Sequence, residues 1–379
     1  MIPILYLHEH AHISGGETSL LLLWEHLDRQ RFQPILLAPA SGPLHQRANQ
    51  LGVATYAAEF PRFRDLLTPG GWDCLAVIRD QARQVGARIL HGNTPHTNLV
   101  AAWIGRQLRC RVFWHERTLP ESEWDVDRSF RFLPDRILCN SAAVARRFGG
   151  PSGRVLIIHN GVDIHRFSPG CGGLVVRCEL GLEPDEVAVG IVGNFSAVKR
   201  HELFLRAAAI VAPDLLHVRF LVIGREVFPE NRGREAALRA GALRLGLKGR
   251  VSFLGSREDM PEIMDALDIL VSTCEVEACS RAILEAMASG TPVIASDAGG
   301  NPELVVPDET GLLFPPGDAK GLAWALHKVI QSAPLRKTMG DAARARAQAR
   351  FSIERQVRET EAAYDATLAN REDNPVRAN

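Results

Sequence analysis

Two glutamates, Glu277 and Glu285, stand eight positions apart in the stretch EVEACSRAILEAMASGTPVIASDAGG, residues 275–300. Glu277 follows a predicted buried strand, and Glu285 lies among apolar residues, where an unsatisfied carboxylate is costly. Two acceptor oxygens allow a carboxylate to bind a pair of vicinal hydroxyls, such as those of a ribose. Alternatively, Glu285 is solvated on an outer helix face. The spacing alone leaves both interpretations open.

The residues between these glutamates predict the start of a helix. It begins near Ser280 and ends before Gly290, because glycine often follows the last helical residue and Pro292 cannot continue a helix. Backbone N–H groups of Cys279, Ser280 and Arg281 in its first turn can bind phosphate oxygens or a sugar hydroxyl. Groups suited to sugar, phosphate and ribose are thus gathered in one strand-loop-helix unit.

Apolar runs alternate with amphipathic segments along the whole chain. The predicted strands include IPILYL, QPILLA, ARILHG, CRVFWH, RILCN and RVLIIHN, then VAVGIVG, RFLVIG, RVSFLG, DILVST and PVIAS. This pattern is typical of parallel sheets covered on both faces by helices. It restarts after SPGCGG (168–173), which predicts a linker. We therefore expect two doubly wound α/β domains, 1–167 and 168–350, followed by a long helix and tail, 351–379.

Glycine and polar residues follow several of the predicted strands, where ligands of open α/β sheets bind. They are Gly15 and Gly16, Gly193 and Asn194, Gly224, Gly255, and Gly299 and Gly300. Each glycine is also explained by a tight turn, so their repetition is the stronger signal. No GxGxxG opens a helix, and we therefore expect no nicotinamide or flavin dinucleotide.

Composition narrows the classes of function. The chain has 379 residues, which suits two domains, and its seven cysteines form no CxxC pair, which favours reduced thiols in the cytosol over a zinc site. No signal peptide or membrane span is expected. Residues 1–167 carry 19 arginines and 15 acidic residues, a net +4 balanced by −4 in the remainder. This asymmetry is ordinary variation or marks an anionic partner or membrane surface, and it is too weak to indicate nucleic acid.

Motifs along nearly the whole chain resemble those of one enzyme family. EACSRAILEAMASGTPVIASDAGGNPELV is similar to the signature of the retaining, group-one (family 4-like) glycosyltransferases with the GT-B fold, in which E-x7-E precedes EAMA-x-G-x-PV-I-A and a glycine pair. GGETSL, HNGVDIHRFSP, GNFSAVKRHELFLRAAAIV, VSFLGSREDMPEIMDALDILVSTCEVE and DETGLLFPPGD occur in the family's order. The resemblance implies two Rossmann-like domains facing a central cleft, with the C-terminal helix crossing back to the N-terminal, acceptor-binding domain.

The resemblance also implies roles in the C-terminal, donor-binding domain. Glu285 would hold the nucleotide ribose, Glu277 would contact the hydroxyls of the donor sugar, and Lys199 would neutralise the diphosphate. Asn194 stands where the family usually has arginine, and Arg200 could compensate for the lost charge. The family's E-G-F-G pattern appears here as Glu277-Ala278-Cys279-Ser280. The loss of both glycines puts small side chains where the backbone usually approaches the ligand, so the contacts should persist with an altered donor preference.

In the N-terminal domain, RVFWHER places His115 at a strand end, as the family's active-site histidine is placed. His96 in NTPHTNLV is the alternative. Gly15 and Gly16 would let the first loop approach the donor phosphate or the acceptor, unless they form a plain turn. Arg62, Arg64 and Arg117 would either contact an anionic acceptor or lie on a solvated surface.

A second motif, Asp125-x-Asp127 in LPESEWDVDRSF, matches the pattern by which another glycosyltransferase fold holds a divalent metal. There the pair ends a strand, whereas no strand precedes it here. We therefore interpret Asp125 and Asp127 as part of a solvated acidic loop.

The combined reading is a cytoplasmic, retaining glycosyltransferase, with a peripheral membrane contact left open. His115, Glu277 and Lys199 would act in catalysis, and the donor would be a UDP- or GDP-linked hexose. A hydroxyl of a glycan, glycolipid or small molecule would be the acceptor, and neither a metal nor another cofactor is expected. The alternatives are a nucleotide-sugar epimerase, a phosphorylase, for which no pyridoxal-phosphate lysine is evident, and a catalytically silent partner subunit.

Overall fold

The computed structural model describes residues 1–40, 42–61, 65, 68–119 and 125–372, and they form two units. The first unit is Met1–Gly161 together with the chain from Ile353 onwards, and the second is Val162–Ser352. Each unit is built on one parallel β-sheet with helices between its strands. The predicted α/β fold class is confirmed.

Strands and helices alternate through both units. The strands are β1 (Ile2–Leu7), β2 (Phe32–Ala38), β3 (Ala54–Ala57), β4 (Ile89–Gly92), β5 (Arg111–Glu116), β6 (Arg136–Cys139), β7 (Val155–Ile157), β8 (Val187–Val192), β9 (Val218–Ile223), β10 (Val251–Gly255), β11 (Ile269–Ser272), β12 (Val293–Ser296) and β13 (Gly311–Phe314). The helices are α1 (Gly15–His26), α2 (Pro43–Gln50), α3 (Pro69–Gln84), α4 (Pro95–Leu108), α5 (Val126–Ser129), α6 (Ala142–Arg146), α7 (Gly173–Glu179), α8 (His201–Val211), α9 (Arg234–Arg244), α10 (Met260–Ala266), α11 (Arg281–Ala288), α12 (Asn301–Leu304), α13 (Ala319–Ile330), α14 (Ala333–Arg350) and α15 (Ile353–Glu372).

The two sheets share one strand order. The first runs β3-β2-β1-β4-β5-β6-β7 and the second β10-β9-β8-β11-β12-β13. In each, the order reverses beside the first strand, between β1 and β4 and between β8 and β11. Ligands of doubly wound sheets bind at the carboxyl ends of the strands at such a switch point.

The central strands are apolar throughout because both faces of each sheet are covered. In β1, the side chains from Ile4 to Leu7 are all 0% exposed, and β8 is nearly as buried. Two strands, β3 and β13, are missing from the strands expected from the sequence. Each has only four residues, ATYA and GLLF, and β3 forms a partly exposed sheet edge, so neither produces a long apolar run.

The boundary between the units differs from the predicted one after residue 167. The backbone N–H of Val162 donates to the carbonyl of Phe351 at 2.8 Å, and Val162 also pairs with Ser352 in a parallel bridge. Phe167 is buried in the core of the second unit. Residues 162–167 therefore belong to the second unit, because their backbone and side chains are bound there.

The segment SPGCGG is part of the second unit rather than a free linker. The carboxylate of Asp265, on α10, accepts hydrogen bonds from the backbone N–H groups of Gly170, Gly172 and Gly173 at 2.7, 3.1 and 2.7 Å. A Cβ at Gly173 would lie 2.5 Å from the carbonyl carbon of Asp265. Gly173 is therefore needed for the close approach to α10, although the glycine-rich composition of the segment resembles that of a linker.

The C-terminal helix α15 packs in the first unit. Tyr364 is fully buried there, with its ring 5.6 Å from that of Phe32. The Glu361 carboxylate accepts from the backbone N–H of Asp28 at 2.8 Å. The last described residues of the chain thus complete the core that the first residues begin.

Candidate active site

In the second unit, the loop after β8 presents Lys199. The loop passes through Gly193 and a short 3-10 turn, and Arg200 adopts a left-handed conformation with φ of 53°. The hydroxyl of Thr273, which follows β11, donates to the backbone carbonyl of Lys199 at 2.6 Å. The segments after β8 and β11 are therefore joined at the switch point of the sheet.

Lys199 and Glu277 meet at this point although they are 78 positions apart. The Lys199 Nζ donates to Oε2 of Glu277, and the two side chains are 28% and 16% exposed. Burial alone would lower the pKa of Lys199, but the Glu277 carboxylate outweighs it and the pKa is raised. Lys199 therefore carries a positive charge at neutral pH beside the end of β11.

Three glycines approach the backbone of the Lys199 loop and of Glu277. Gly224 has φ of 142°, and a Cβ there would lie 1.9 Å from the carbonyl oxygen of Gly193. Gly299 has φ of 58°, and a Cβ there would lie 2.2 Å from the carbonyl oxygen of Glu277. The N–H of Gly300 donates to that same oxygen at 2.8 Å. The glycines after β9 and β12 thus hold the backbone of Lys199's loop and of Glu277.

Helix α11 begins at Arg281, with Ser280 as its N-cap. The Ser280 hydroxyl accepts from the N–H of Ile283 at 3.4 Å, which is weak capping, and Cys279 is buried just before the helix. The predicted start at Ser280 is therefore one residue early. The first-turn N–H groups lie immediately after the Glu277 loop, as the proposed phosphate contacts require.

Glu285 is not a solvated helix glutamate. Its Oε1 accepts from Nη2 of Arg281 at 2.9 Å, one helical turn earlier, and its side chain is 12% exposed. Burial raises the pKa of Glu285, while Arg281 and Arg166 oppose the rise. A half-satisfied, nearly buried carboxylate is suited to accept hydrogen bonds from a ligand.

Asn194, which stands where the family usually has arginine, and Arg200, which could replace the lost charge, lie in the same loop. Asn194 accepts a hydrogen bond from the Ser196 hydroxyl at 3.2 Å. Arg200 lies 3.3 Å from the carboxylate of Glu275, with its side chain 41% exposed. Compensation of Asn194 by Arg200 stays a prediction.

His201 is a site residue that the sequence reasoning missed. It opens α8 and is 1% exposed, and among the residues that the structure describes neither of its ring nitrogens has a hydrogen-bond partner. Burial, followed by the charges of Lys199 and Arg234, lowers its pKa to about 3. It lines a small pocket with Lys199, Thr273 and Ser280. Its adjacency to Lys199 in the motif was the available signal.

In the first unit, Gly15 and Gly16 form the first turn of α1 and not a glycine loop. Ser14 is the N-cap, and its backbone N–H donates to Oε2 of Glu17 at 2.8 Å. His8 lies 2.7 Å from the other carboxylate oxygen. Burial would raise the pKa of Glu17, but the hydrogen bonds from His8 and Ser14 hold it well below its usual range. The S-x-x-E spacing signals this capping box.

His115 lies inside β5 and is 1% exposed. Its Nδ1 is 2.9 Å from Nη2 of Arg117 and 3.3 Å from Nε2 of His91. Arg117 also donates to the side-chain oxygen of Asn93 at 3.0 Å, so it is not a purely solvated side chain. His96, the alternative, is 46% exposed on α4 and pairs with Glu9. His115 is thus the buried histidine of the two.

The solvated-loop interpretation of Asp125 and Asp127 is wrong for both residues. Arg147 donates two hydrogen bonds to the carboxylate of Asp125, at 2.7 and 2.8 Å, and one to Glu116 at 2.9 Å. Asp127 is 2% exposed. Burial is the main cause that raises the pKa of Glu116 and of Asp127. The acidic residues form a buried cluster around one guanidinium, and the rest of the acidic stretch lies outside the described residues.

Two other points concern metal and acceptor contacts. No group of three or more His, Cys, Asp and Glu side chains in the described part of the chain is arranged to hold a metal ion. Arg62 and Arg64 lie outside the described residues. Every helix that the structure describes is too short or too polar to cross a membrane.

Two family patterns match successive parts of the chain. Residues 13–166 match Glycosyltransferase Family 4, and residues 177–346 match Glycosyl transferases group 1. The lipopolysaccharide core biosynthesis mannosyltransferase LpsB of Rhizobium meliloti is 29% identical over 62% of this chain and 66% of its own length. The D-inositol 3-phosphate glycosyltransferase of Mycobacterium sp. (strain KMS) is 35% identical over 55% of this chain and 46% of its own length. The matched parts are less than two thirds of each relative.

Solved structures extend the similarity to the whole fold. Anabaena Alr3699/HepE in complex with UDP has a TM-score of 0.85 and 25% identity, covering 96% of this chain and 100% of that one. Its complex with UDP-glucose has a TM-score of 0.82 and 26% identity over the same shares. Sucrose-phosphate synthase from Thermosynechococcus elongatus shares the fold, with a TM-score of 0.79 and 23% identity over 98% of this chain and 100% of that one.

Proposed function

This chain belongs to the group 1 glycosyltransferases, and we propose that it transfers a hexosyl group from a nucleotide-diphosphate sugar to a hydroxyl acceptor. The observation that carries the proposal is the pairing of Lys199 with Glu277 beside the N-terminus of α11. A cation, a carboxylate and the backbone N–H groups of a helix N-terminus at one switch point match the parts of such a donor. UDP and UDP-glucose, which the Anabaena protein binds, are the first ligands to test.

Each part of the donor has a counterpart in the second unit. The carboxylate of Glu285 accepts hydrogen bonds from the ribose hydroxyls. It does so either in place of its hydrogen bond to Arg281 or in addition to it. Lys199 and the first-turn N–H groups after Ser280 offset the charge that grows on the diphosphate as it departs. Glu277 then accepts hydrogen bonds from hydroxyls of the sugar.

We propose that the reaction retains the anomeric configuration and needs no metal. The bond between the anomeric carbon and the diphosphate oxygen breaks, and its electron pair leaves with the diphosphate. The acceptor oxygen bonds to the same face of the anomeric carbon, and its proton passes to the departing diphosphate. The ion pair of Glu277 with Lys199 supports this course, because a carboxylate paired with the cation that we assign to the diphosphate is poorly suited to act as a base on the opposite face.

The test begins with a thermal-shift screen of UDP- and GDP-linked hexoses. A donor at 100 times its Kd should stabilise the protein by roughly 2.7 kcal/mol. Consumption of the stabilising donor is then measured as release of the nucleoside diphosphate. Lys248→Ala, at an exposed loop lysine, is the control for Lys199→Ala. If none of these donors stabilises the protein and none is consumed, the proposal fails.

The stereochemical part has its own measurement. Proton NMR early in hydrolysis of an α-linked donor should show the α-anomer of the free sugar before it equilibrates. The β-anomer as first product would contradict retention and leave the transferase proposal standing.

A further inference from the structure

The guanidinium of Arg281 uses only part of its hydrogen-bonding capacity within the protein. Arg281 is the first residue of α11, and its Nη2 donates to Oε1 of Glu285 at 2.9 Å. The other terminal nitrogen, Nη1, is buried and has no hydrogen-bond partner among the residues that the structure describes. Among the described arginines that are not exposed, no other has a buried terminal nitrogen without a partner. A buried donor in this state is costly.

The helix itself gains little from this arginine. The start of a helix carries a partial positive charge, so a cation in the first turn is unfavourable. In an i, i+4 pair the order with the acidic residue first is the more favourable one, and Arg281 precedes Glu285. The side chain is only 13% exposed, which adds a cost of desolvation. An anion bound at the start of α11 would offset these costs together with that of the unpaired nitrogen.

Arg281 also lies beside the residue that we assign to the diphosphate. Its two neighbours in the chain, Ser280 and Ala282, line the same small pocket as Lys199. Lys199 offers a single ammonium group, whereas a guanidinium has five N–H donors in a planar fork that matches phosphate oxygens. One arm of this fork can therefore hold Glu285 while the other binds a phosphate.

We propose that Arg281 binds the nucleotide with its side chain, because its Nη2 stays on Glu285 while its Nη1 donates to a phosphate oxygen. A small rotation of the guanidinium, whose side chain keeps 13% of its surface exposed, presents Nη1 to this oxygen. Glu285 then binds the ribose in addition to Arg281 and not in its place. This inference rests on the proposed function and adds a residue to the donor site.

The first test compares UDP binding by the wild type and by Arg281→Met, which keeps the length of the side chain and loses its charge. Loss of a hydrogen bond to a charged group should weaken UDP binding about 10- to 100-fold in calorimetric titration. Binding of UDP by this variant as tight as by the wild type would overturn the proposal.

Arg355→Met is the matched control for this measurement. Arg355 pairs with Glu359 at the same spacing and in the same order near the start of α15, but the two side chains are 44% and 35% exposed. The control variant should bind UDP as the wild type does.

A variant at Glu285 separates contact with the ligand from support of the carboxylate. In Glu285→Gln the carboxylate that Arg281 holds is gone, so a further change to Arg281→Met reports what the arginine does to the ligand. The double variant Arg281→Met, Glu285→Gln should bind UDP about 10-fold or more weakly than Glu285→Gln. Equal binding by the two would mean that Arg281 acts only through Glu285, and the phosphate contact would be wrong.

A UDP analogue that lacks both ribose hydroxyls identifies the ligand oxygen. It keeps the two phosphates, so Arg281→Met should weaken its binding by the same factor as that of UDP. If the variant binds this analogue as tightly as the wild type does, Nη1 binds a ribose hydroxyl, and the assignment to phosphate is overturned.

Thermal unfolding without ligand tests whether the pair serves the fold. The double variant Arg281→Met, Glu285→Gln removes the cation from the start of α11 and leaves no buried carboxylate behind. It should therefore unfold at the temperature of the wild type or higher. A clearly lower temperature would show that the pair is present for stability, and the proposal would be withdrawn.

Inorganic pyrophosphate distinguishes failure of this inference from failure of the proposed function. If UDP-glucose is consumed but Arg281→Met binds UDP as the wild type does, the inference is wrong and the function stands. If no nucleotide binds, but pyrophosphate binds the wild type and not Arg281→Met, the phosphate site stands and the proposed function fails. If neither pyrophosphate nor any nucleotide binds, both are wrong.

Discussion

Two polar clusters, one in each unit, are built in opposite ways. In the second unit, the site consists of ion-paired side chains that each remain between 12% and 28% exposed, namely Lys199, Glu277, Arg281 and Glu285. In the first unit, hydrogen bonds join four neutral side chains that are at most 1% exposed, namely Tyr6, Tyr364, His91 and the candidate histidine His115.

The difference follows from the cost of removing charge from water. A buried ion needs excellent compensation, whereas neutral groups that satisfy one another can be buried at little cost. Charges that must meet a charged ligand therefore stay at a switch point that solvent reaches. A network of neutral side chains that satisfy one another can lie in the core, where packing holds it rigid. The comparison teaches that, in these two clusters, the ion-paired side chains keep contact with solvent and the fully buried side chains are neutral.

The largest expected effect tests the charged cluster. Lys199→Ala should lower kcat about 100- to 1000-fold, because the charge matters most as the diphosphate departs. Lys199→Arg keeps the charge and should lose less. Steady-state kinetics of donor consumption measure both. An unchanged kcat with only a raised KM would mean that Lys199 binds ground state and transition state equally.

A smaller effect is expected at Glu285. Glu285→Ala should weaken UDP binding by about 1–3 kcal/mol, because ribose hydroxyls and Arg281 lose their acceptor. Calorimetric titration measures the loss, and Glu354→Ala, in the first turn of α15, serves as a control. If UDP and GDP bound the Glu285 variant as tightly as the wild type, the proposal that Glu285 binds the ribose would be wrong.

The buried charges of the first unit should show as pH dependence. Burial raises the pKa of Glu116, with the neighbouring Asp127 adding to the rise and Arg147 opposing it. The folded state thus holds a proton that the unfolded state releases near pH 4.3. The stabilisation is complete below that pH and is lost as the pH rises through the raised pKa.

Glu116→Gln should remove this slope. Urea unfolding from pH 5 to pH 9 should show the free energy of unfolding of the wild type falling by about 1 kcal/mol or more, since one pKa unit is worth about 1.4 kcal/mol, with a flatter profile for the variant. Equal slopes for the wild type and the variant would mean that the raised pKa belongs to a residue other than Glu116.

The smallest expected effect concerns metal. EDTA should leave donor consumption unchanged within a few-fold, since we propose that Lys199 and the start of α11 serve the diphosphate. Asp125→Asn should lower stability, because it weakens a two-bond contact with Arg147, while activity per folded molecule persists. If EDTA abolished the activity and Mn²⁺ restored it, the reaction would depend on a metal ion, and the role we propose for Lys199 and the start of α11 would be wrong.

The sequence by itself was sufficient for the α/β fold class and for most strands. Apolar runs, glycine stops and the S-x-x-E and E-x7-E spacings act over a few residues, so they can be read locally. It was insufficient for β3 and β13, which are too short to form a clear pattern, and for the predicted linker, whose Gly173 serves close packing against Asp265.

The tertiary structure alone decided which distant residues meet. Lys199 contacts Glu277 because β8 and β11 are neighbours in the sheet, and Tyr364 reaches His91 from 273 positions away because α15 completes the first core. Asp127 is 2% exposed although the residues around it in the chain are acidic. Strand order and burial arise from packing between elements, and the periodicity within one element does not encode them.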